Sequence, residues 1–260
     1  MITSVSNPKV KRLLHLRKQA KARREAGLFL VEGEKMCKEA PKDLVAEVYI
    51  SESHVGAGEV AGWGRIPVEI LSDSVFRTVS DTQTPQGVLA LVRQRERTLK
   101  EILSGRQIPL LLILEKLQDP GNLGTVLRTG EGAGVTGVVM SGDTVDIYNP
   151  KVVRATMGSI YRVPFCTVPD LAEAIGDLSA RGIVCYAAAP TESLDYTEAD
   201  YRGPTAFLIG NEGNGLSREA ILAAGKRVRI PMAGEVESLN ASMAAGLLMY
   251  EAARQRRKPG

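Results

Sequence analysis

The stretch that decides the fold runs from residue 207 to residue 250 and reads FLIGNEGNGLSREAILAAGKRVRIPMAGEVESLNASMAAGLLMY. An apolar run, Phe207 to Gly210, opens into a glycine-rich turn that ends at Ser217. A second apolar run, Val228 to Met232, opens into a loop that leads to a helix beginning near Ser238. Ligands bind at the carboxyl ends of strands in open α/β sheets, so the two loops are predicted to form the floor and wall of one active site.

The residues before this stretch predict a mostly parallel sheet. Leu110 to Leu114 is fully apolar, as in a strand that is buried on both faces. Asn122 is predicted to cap a helix over residues 125–133, and further strands are expected at 135–140, 163–168 and 183–188. Strands that alternate with helices predict an α/β fold with a mostly parallel sheet and helices on both faces.

The first part of the chain is predicted to be a separate, smaller α/β unit. Its patterns follow the order helix, strand, helix, strand, strand, helix, strand. A run of alternating charge at residues 93–97 then breaks the composition. The predicted division is therefore a smaller N-terminal α/β domain at 1–93, a linker at 94–107 and a second domain at 108–260.

Basic residues dominate the start of the chain, and the first acidic residue is Glu25. They are predicted to lie on one helix that begins after Pro8. Clustered Lys and Arg on one element is typical of an arm that neutralises nucleic-acid phosphates, although a merely solvated basic face is the alternative. A membrane-surface helix is disfavoured because the apolar face is narrow and lacks aromatic residues. The residues predicted to contact RNA are Lys9, Lys11, Arg12, Arg17, Lys18, Arg23 and Arg24.

Several functional classes are disfavoured by what the sequence lacks. No apolar run reaches the ~20 residues that span a bilayer, and no secretory leader pattern is present. Three distant cysteines, Cys37, Cys166 and Cys185, fit neither a disulfide framework nor a zinc site. The two histidines, His15 and His54, lie in the first domain, which leaves the second domain without a histidine-based triad or metal site. We therefore expect a cytoplasmic protein without membrane contact or bound metal.

Nucleotide-dependent enzymes are also disfavoured. The chain has no G-x-x-x-x-G-K-[ST] phosphate loop, and no G-x-G-x-x-G follows the first apolar strand of either domain. Five polar or charged side chains remain at or near predicted strand ends and helix starts. They are Asn122, Arg128, Glu212, Ser238 and Asn240.

These five lie in the segments DPGNLGTVLRTGEGAGV, FLIGNEGNGLS and IPMAGEVESLNASMAAGLLMYE. In order, spacing and residue type the segments resemble the three motifs of the SpoU (TrmH-type) RNA 2′-O-ribose methyltransferases, within the SPOUT superfamily. The likeness covers roughly residues 110–251. In the first half, SNPKVKRLLHLR, GLFLVEGEK and TPQGVLALV resemble the substrate-binding domain that precedes many of these enzymes.

The resemblance implies a knotted SPOUT-type C-terminal domain that forms a homodimer and binds S-adenosylmethionine in the knot. It also implies an RNA substrate, and the two-domain layout favours large-subunit ribosomal RNA. The positions that match the cofactor wall are Leu208, Gly210, Ile230, Met232 and Leu239. For Ile230 and Leu239, plain core packing is an equally open interpretation.

Arg128 matches the catalytic arginine of the family. Its guanidinium is always protonated, which favours stabilisation of a ribose alkoxide over the proton abstraction that accounts of the family often assign to it. Glu212 is expected to orient Arg128 or the substrate hydroxyl. Asn122, Ser238 and Asn240 could each be a helix cap, a site residue or both.

Three alternatives stay open at this point. They are a transfer RNA 2′-O-methyltransferase, a catalytically silent RNA-binding protein of the same fold, and a superfamily member that methylates a base nitrogen. The SLNAS segment together with Asn122 and Arg128 favours ribose over base.

Overall fold

The computed structural model of the chain describes residues 1–56, 62–190 and 193–257. Its contacts group into two compact units. The first comprises Met1–Arg95 and Asp146–Tyr161, and the second comprises Glu96–Val145 and Arg162–Gly260. Segment 146–161 therefore groups with the N-terminal part, whereas the sequence assigned all of 108–260 to one domain. The domain boundaries themselves stay a prediction.

The bounds of the described helices and strands are as follows in chain order. The helices are α1 (Pro8–Lys18), α2 (Ala20–Ala26), α3 (Glu34–Glu39), α4 (Asp73–Val79), α5 (Leu99–Leu103), α6 (Pro120–Ala133), α7 (Pro150–Thr156), α8 (Leu171–Ala180), α9 (Arg218–Ala224) and α10 (Ala241–Arg256). The strands are β1 (Leu28–Glu32), β2 (Val45–Ser51), β3 (Val68–Leu71), β4 (Val88–Arg93), β5 (Leu110–Leu114), β6 (Gly137–Ser141), β7 (Phe165–Val168), β8 (Val184–Ala188), β9 (Leu194–Asp195), β10 (Thr205–Ile209) and β11 (Lys226–Arg229). None of these helices is long and apolar enough to cross a membrane.

The first unit is built on a four-stranded sheet of order β1-β4-β2-β3, in which β4 is antiparallel to both neighbours and β2 and β3 are parallel. Apolar residues of α1 and α4 pack on one face of the sheet, and the core includes Leu13, Leu16 and Phe76. Burial of these large side chains removes apolar surface from water and supplies the main driving force for this unit.

The predicted single basic helix is wrong, because the chain forms two helices there. Gln19 has an extended backbone (φ −121°, ψ 119°) that separates α1 from α2. Arg23 of α2 donates to the carbonyl oxygens of Leu16 (2.7 Å) and Arg17 (3.1 Å) at the end of α1. These bonds satisfy carbonyl groups that a helix end leaves without partners, so the break is stabilised by a side chain from the second helix.

The second unit contains a seven-stranded sheet of order β7-β6-β5-β10-β8-β11-β9, and every pairing in it is parallel. Helices α5, α8 and α9 contribute to the core on one face, through residues such as Ile102, Leu178 and Ala220. Helices α6 and α10 pack against each other, and α10 packs on β10. The predicted α/β fold with a mostly parallel sheet and flanking helices is confirmed.

One predicted strand ends earlier in the structure, and one short strand was not predicted. Strand β11 ends at Arg229, whereas the apolar run predicted a strand to Met232. Pro231 has no N–H group to give to a ladder, and the apolar residues around it leave the sheet to line a pocket. Strand β9 has only the two residues Leu194 and Asp195, too few for any periodic signal in the sequence.

Candidate active site

A pocket of about 790 Å³ lies at the carboxyl ends of β8, β10 and β11. Its walls are residues 188–190 after β8, 209–216 around the end of β10, 228–232 around the end of β11, and 237–239. Ile221 of α9 and three residues of α10 complete the lining: Ala241, Ala244 and Leu248. Both loops that the sequence singled out therefore line one cavity, whose volume suits a small-molecule cofactor.

The glycine-rich loop after β10 is a tight hairpin in which the backbone itself forms the wall. Asn211 and Gly215 exchange backbone hydrogen bonds of 3.0 and 2.9 Å. The Asn211 side-chain oxygen accepts from the N–H groups of Gly213 (2.9 Å) and Asn214 (3.1 Å). A Cβ atom on Gly210 would lie 2.1 Å from the carbonyl carbon of Gly215, so only glycine fits at that position.

A buried carboxylate fastens this loop to the sheet. Glu115 directly follows β5 and is only 6% exposed. Its Oε2 accepts from the backbone N–H of Ser217 at 2.7 Å, where the loop enters α9. The Asn211 amide also donates to the carbonyl oxygen of Lys116 (2.8 Å), a residue held in the left-handed region at φ 54°. Sequence reasoning missed Glu115, although an acid directly after a fully apolar strand is a usable signal.

Three side chains form a continuous polar chain beside the pocket. The Asn122 Nδ2 donates to Glu212 Oε1 at 3.0 Å, and the Asn122 Oδ1 accepts from Asn240 Nδ2 at 2.9 Å. A carboxylate can only accept, which fixes the orientation of the Asn122 amide and then of Asn240. The Asn240 oxygen in turn accepts from the backbone N–H and the hydroxyl of Ser242 (2.9 and 2.7 Å). The chain thus joins the loop after β10 to the starts of α6 and α10.

Of the three residues that the sequence offered as helix caps, only Asn240 caps a described helix. Asn122 does not cap α6: Asp119 does, by accepting from the Asn122 backbone N–H at 2.7 Å, with Pro120 in the first turn. Proline is favoured there because its fixed φ suits the start of a helix. Asn240 is both the N-cap of α10 and a member of the polar chain. Ser238 is exposed, caps no described helix and lines the pocket.

Glu212 is held in its ionised form by its surroundings. Partial burial by itself would raise the pKa of this carboxyl group. Hydrogen bonds from the Asn122 amide and from the backbone N–H groups of Gln118 and Asp119 (3.2 Å each) outweigh that effect and keep the pKa below its usual range. Glu212 therefore holds Asn122 and the chain entering α6 in place. Its expected role toward Arg128 or the substrate hydroxyl stays a prediction.

Arg128 stands apart from the polar chain. It lies on α6 with its side chain exposed, and it makes no hydrogen bond or ion pair within the described part of the chain. It is not among the residues that line the pocket of its own chain. Gly132, one turn further along α6, faces the hydroxyl of Tyr250, since a Cβ there would lie 3.0 Å from that oxygen. Arg128 thus lies on a face of α6 that borders the exposed side of α10.

Of the five residues predicted to line the cofactor site, Gly210, Ile230, Met232 and Leu239 line the pocket. Leu208 does not. It is fully buried in the core on the α8 and α9 side, and its neighbour Ile209 lines the pocket instead. Successive side chains of a strand point to opposite faces, which accounts for the exchange. Two charged residues outside the predicted set, Arg229 and Glu237, also line the pocket.

The basic residues of α1 and α2 fall into two groups. Lys9 pairs with Glu69 at 2.6 Å, Arg12 pairs with Glu47 at 2.9 Å, and Arg17 donates to the carbonyl oxygen of Thr78 at 3.0 Å. Arg23 is buried and binds Asp146, with its Nε 2.8 Å from Oδ2. By contrast, three are exposed and have no hydrogen bond or ion pair in the described ranges: Lys11, Lys18 and Arg24.

No group of three or more His, Cys, Asp or Glu side chains in the described residues is arranged to hold a metal ion. Burial raises the pKa of the Cys166 thiol to about 11 and that of the Cys37 thiol to about 12, which keeps both thiols protonated and unreactive at neutral pH.

Two family models match the chain. The SpoU rRNA Methylase family matches residues 109–250, and an MRM3-like substrate binding domain matches residues 7–90. The chain is 32% identical over 254 residues to the 23S rRNA (guanosine(2553)-2′-O)-methyltransferase RlmP of Bacillus subtilis (strain 168), a match that covers 96% of this chain and 97% of the relative.

Solved structures resemble the whole chain as well. The AdoMet-bound rRNA methyltransferase from Sinorhizobium meliloti matches with a TM-score of 0.87 and 31% identity, over 97% of each chain. The SpoU methyltransferase AviRb from Streptomyces viridochromogenes, in complex with the cofactor AdoMet, matches with a TM-score of 0.86 and 29% identity. That match covers 96% of this chain and 99% of the AviRb chain.

Proposed function

We propose, since this chain belongs to the SpoU rRNA Methylase family, that it is an S-adenosylmethionine-dependent enzyme that methylates a ribose 2′-hydroxyl in large-subunit ribosomal RNA. The observation that carries the proposal is the polar chain Glu212–Asn122–Asn240, which joins three loops at the edge of a cofactor-sized pocket.

The pocket residues fit S-adenosylmethionine. Gly210 leaves room for close approach of the backbone, and apolar side chains such as Ile230 and Leu239 offer a wall for an adenine ring. Glu212 and Glu237 on the lining suit a positively charged ligand. When bound, S-adenosylmethionine supplies an electrophilic methyl group on a sulfonium.

The side chains of the site divide the remaining work. Both oxygens of the ionised Glu212 already accept hydrogen bonds, so Glu212 positions Asn122 instead of donating a proton. Arg128 stabilises the negative charge that develops on the ribose oxygen, because a permanently cationic guanidinium is well suited to that role. The proton passes to an RNA phosphate or to water.

RNA binding is assigned to the first unit, which matches the substrate-binding model. Lys11, Lys18 and Arg24 are the basic side chains of α1 and α2 that remain available for phosphates. Lys9, Arg12 and Arg17 would have to exchange an internal partner for a phosphate. Arg23 leaves the proposed set because it is buried and paired with Asp146.

The protein acts as a homodimer through its second unit. Helix α10 exposes Met243, Leu247 and Tyr250, which are 60%, 38% and 45% exposed and recur at the spacing of one helix face. A second copy is the expected occupant of this apolar stripe, as the family resemblance implies. A dimer formed here would also bring Arg128 of one subunit toward the site of the other, because Arg128 borders this face. The trefoil knot belongs to the same proposal, as does a cytoplasmic location with the ribosomal substrate.

Mapping of 2′-O-methyl groups in ribosomal RNA tests this function. RNA from cells with and without the gene is compared, and the gene is restored as wild type or as Arg128→Ala. We expect one ribose methyl group of large-subunit RNA to disappear with the gene and to return with the wild-type copy alone. An unchanged ribose pattern with a lost base methyl group, or a change confined to transfer RNA, would contradict the proposal.

A further inference from the structure

Arg229 is the one cationic residue among the described residues that line the pocket. We infer, on the premise of the proposed function, that its guanidinium binds the carboxylate of the methionyl group of the cofactor and so fixes that end of the ligand. Arg229 is not part of the motif residues on which the family resemblance depends.

The charges of ligand and pocket match in this arrangement. S-adenosylmethionine carries two positive groups, the sulfonium and the ammonium, and one negative group, the carboxylate. The two acidic residues of the lining, Glu212 and Glu237, attract the positive groups and repel the carboxylate. A guanidinium pairs with a carboxylate through two parallel hydrogen bonds, which adds direction to the attraction.

The backbone presents Arg229 from a rigid position. Arg229 is the last residue of β11 and lies opposite Asp195 in the parallel pairing with β9. Its carbonyl oxygen accepts from the backbone N–H of Tyr196 at 2.9 Å. Binding groups held on strands are placed more accurately than groups on loops, so the starting point of the Arg229 side chain is fixed by the backbone pairing.

The guanidinium is also available. It has no ion pair within 4.0 Å and no side-chain hydrogen bond in the described ranges, and the residue is exposed. Asp195 is the acidic residue paired with Arg229 in the sheet, and its carboxylate accepts from the backbone N–H and the hydroxyl of Thr197 (2.9 and 2.7 Å). Those two hydrogen bonds lower the pKa of Asp195 most, and the positive charge of Arg229 adds to the effect. Arg229 is thus close to one carboxylate without being bound by it.

A comparison of two ligands tests the inference by calorimetry. S-adenosylhomocysteine carries the carboxylate, whereas 5′-methylthioadenosine lacks the whole amino-acid group. We expect Arg229→Gln to weaken S-adenosylhomocysteine binding on the order of tenfold, as for loss of one charge-assisted contact. Binding of 5′-methylthioadenosine should change by less than about twofold. Arg229→Lys should recover part of the loss, and Arg218→Gln, an exposed arginine outside the lining, should affect neither ligand.

The other outcomes are distinct. Equal losses for both nucleosides, or no loss for either, would overturn the inference. An anion on the RNA is the alternative partner, so binding of a large-subunit ribosomal RNA transcript is measured in parallel. A fall in RNA affinity with unchanged S-adenosylhomocysteine binding would assign Arg229 to a phosphate and overturn the inference. Wild-type protein that bound neither nucleoside would contradict the proposed function itself.

Discussion

Asn122 is the residue on which the contacts of the site converge. It is 9% exposed, donates to the Glu212 carboxylate and accepts from the Asn240 amide. An amide side chain offers both a donor and an acceptor without carrying a charge. Asn122 therefore connects the loop after β10 to the start of α10 through hydrogen bonds, without burying a second charge.

The Glu212 carboxylate makes the site sensitive to acid. The pKa of Glu212 is below the usual 4.5 in the folded protein. Its ionised carboxylate therefore stabilises the fold at a pH above the pKa of the unfolded chain. This stabilisation is lost as the pH falls through the lower pKa of the folded protein. Glu212→Gln should therefore lower the melting temperature at pH 7, and the difference from wild type should shrink below about pH 4. Thermal unfolding across this range measures the difference. Glu235→Gln, at an exposed glutamate without a hydrogen bond in the described residues, is the control. A difference that stayed constant with pH would argue against the carboxylate contacts.

Arg23 and Arg24 are adjacent arginines with different expected roles. Arg23 is 2% exposed and bonded to Asp146 and to two carbonyl groups, so Arg23→Ala should destabilise the protein by about 3–5 kcal/mol. Arg24 is exposed, and Arg24→Ala should leave the free energy of unfolding within about 0.5 kcal/mol of the wild-type value. The same variant should reduce the slope of log K for RNA binding against log salt concentration by roughly 0.7–0.9. Urea unfolding and binding at several salt concentrations check both. Normal stability with weak RNA binding in Arg23→Ala would reverse the assignment.

At the scale of elements, the glycine-rich loop sets the shape of the pocket. Gly210→Ala would force a side chain into the Gly215 backbone, and overpacking of this kind costs about 1–3 kcal/mol. We expect roughly tenfold weaker binding of S-adenosylhomocysteine together with a lower melting temperature. Gly213→Ala in the same loop is the matched control, because its Cβ would meet Asn211 Oδ1 at an ordinary 3.5 Å. Equal affinities of the two variants for S-adenosylhomocysteine would contradict the prediction, because they would mean that the loop adjusts to a side chain at position 210.

The sequence predicted most of the elements of the second unit and the edge where the pocket lies. Apolar runs such as Leu110–Leu114 report burial directly, and glycine-rich turns mark where strands end. It could not predict the break at Gln19, because that break depends on hydrogen bonds from the Arg23 side chain. The grouping of residues 146–161 with the first unit was equally hard to predict, because Arg23, the buried partner of Asp146, is 123 residues away in sequence.

Two features of the site are hard to predict from sequence: contacts between residues far apart in the chain, and the face of a strand to which a side chain points. Asn122, Glu212 and Asn240 are hydrogen-bonded as one set, although 90 and 118 residues separate the two pairs. The residue type and the place at a strand end were enough to select them. The side chain of Leu208 faces the core whereas Ile209 lines the pocket, because neighbouring residues of a strand point to opposite faces. The cofactor contacts of this strand stay a prediction.

For the whole molecule, the exposed stripe on α10 is the surface to test. Leu247→Glu places a charge in the middle of that stripe and should convert the proposed dimer to a monomer, which light scattering measures as a halved mass. Leu222→Glu on α9 is the control, since Leu222 is 61% exposed and lies outside the stripe. A wild-type monomer, or a variant that stayed dimeric, would remove this face from the dimer proposal.

Methyl transfer to a ribose hydroxyl with the help of Arg128, as proposed for this chain, can be measured directly. The direct measurement uses methyl-labelled S-adenosylmethionine, a large-subunit ribosomal RNA transcript, and wild-type or Arg128→Ala protein. Alkaline hydrolysis then separates the products, because a 2′-O-methyl group blocks cleavage and leaves the label in dinucleotides. We expect labelled dinucleotides with the wild type, and at least about a hundredfold lower rate with Arg128→Ala at nearly unchanged affinity for S-adenosylhomocysteine. Label released in single nucleotides, or near-normal turnover by Arg128→Ala, would contradict the claim.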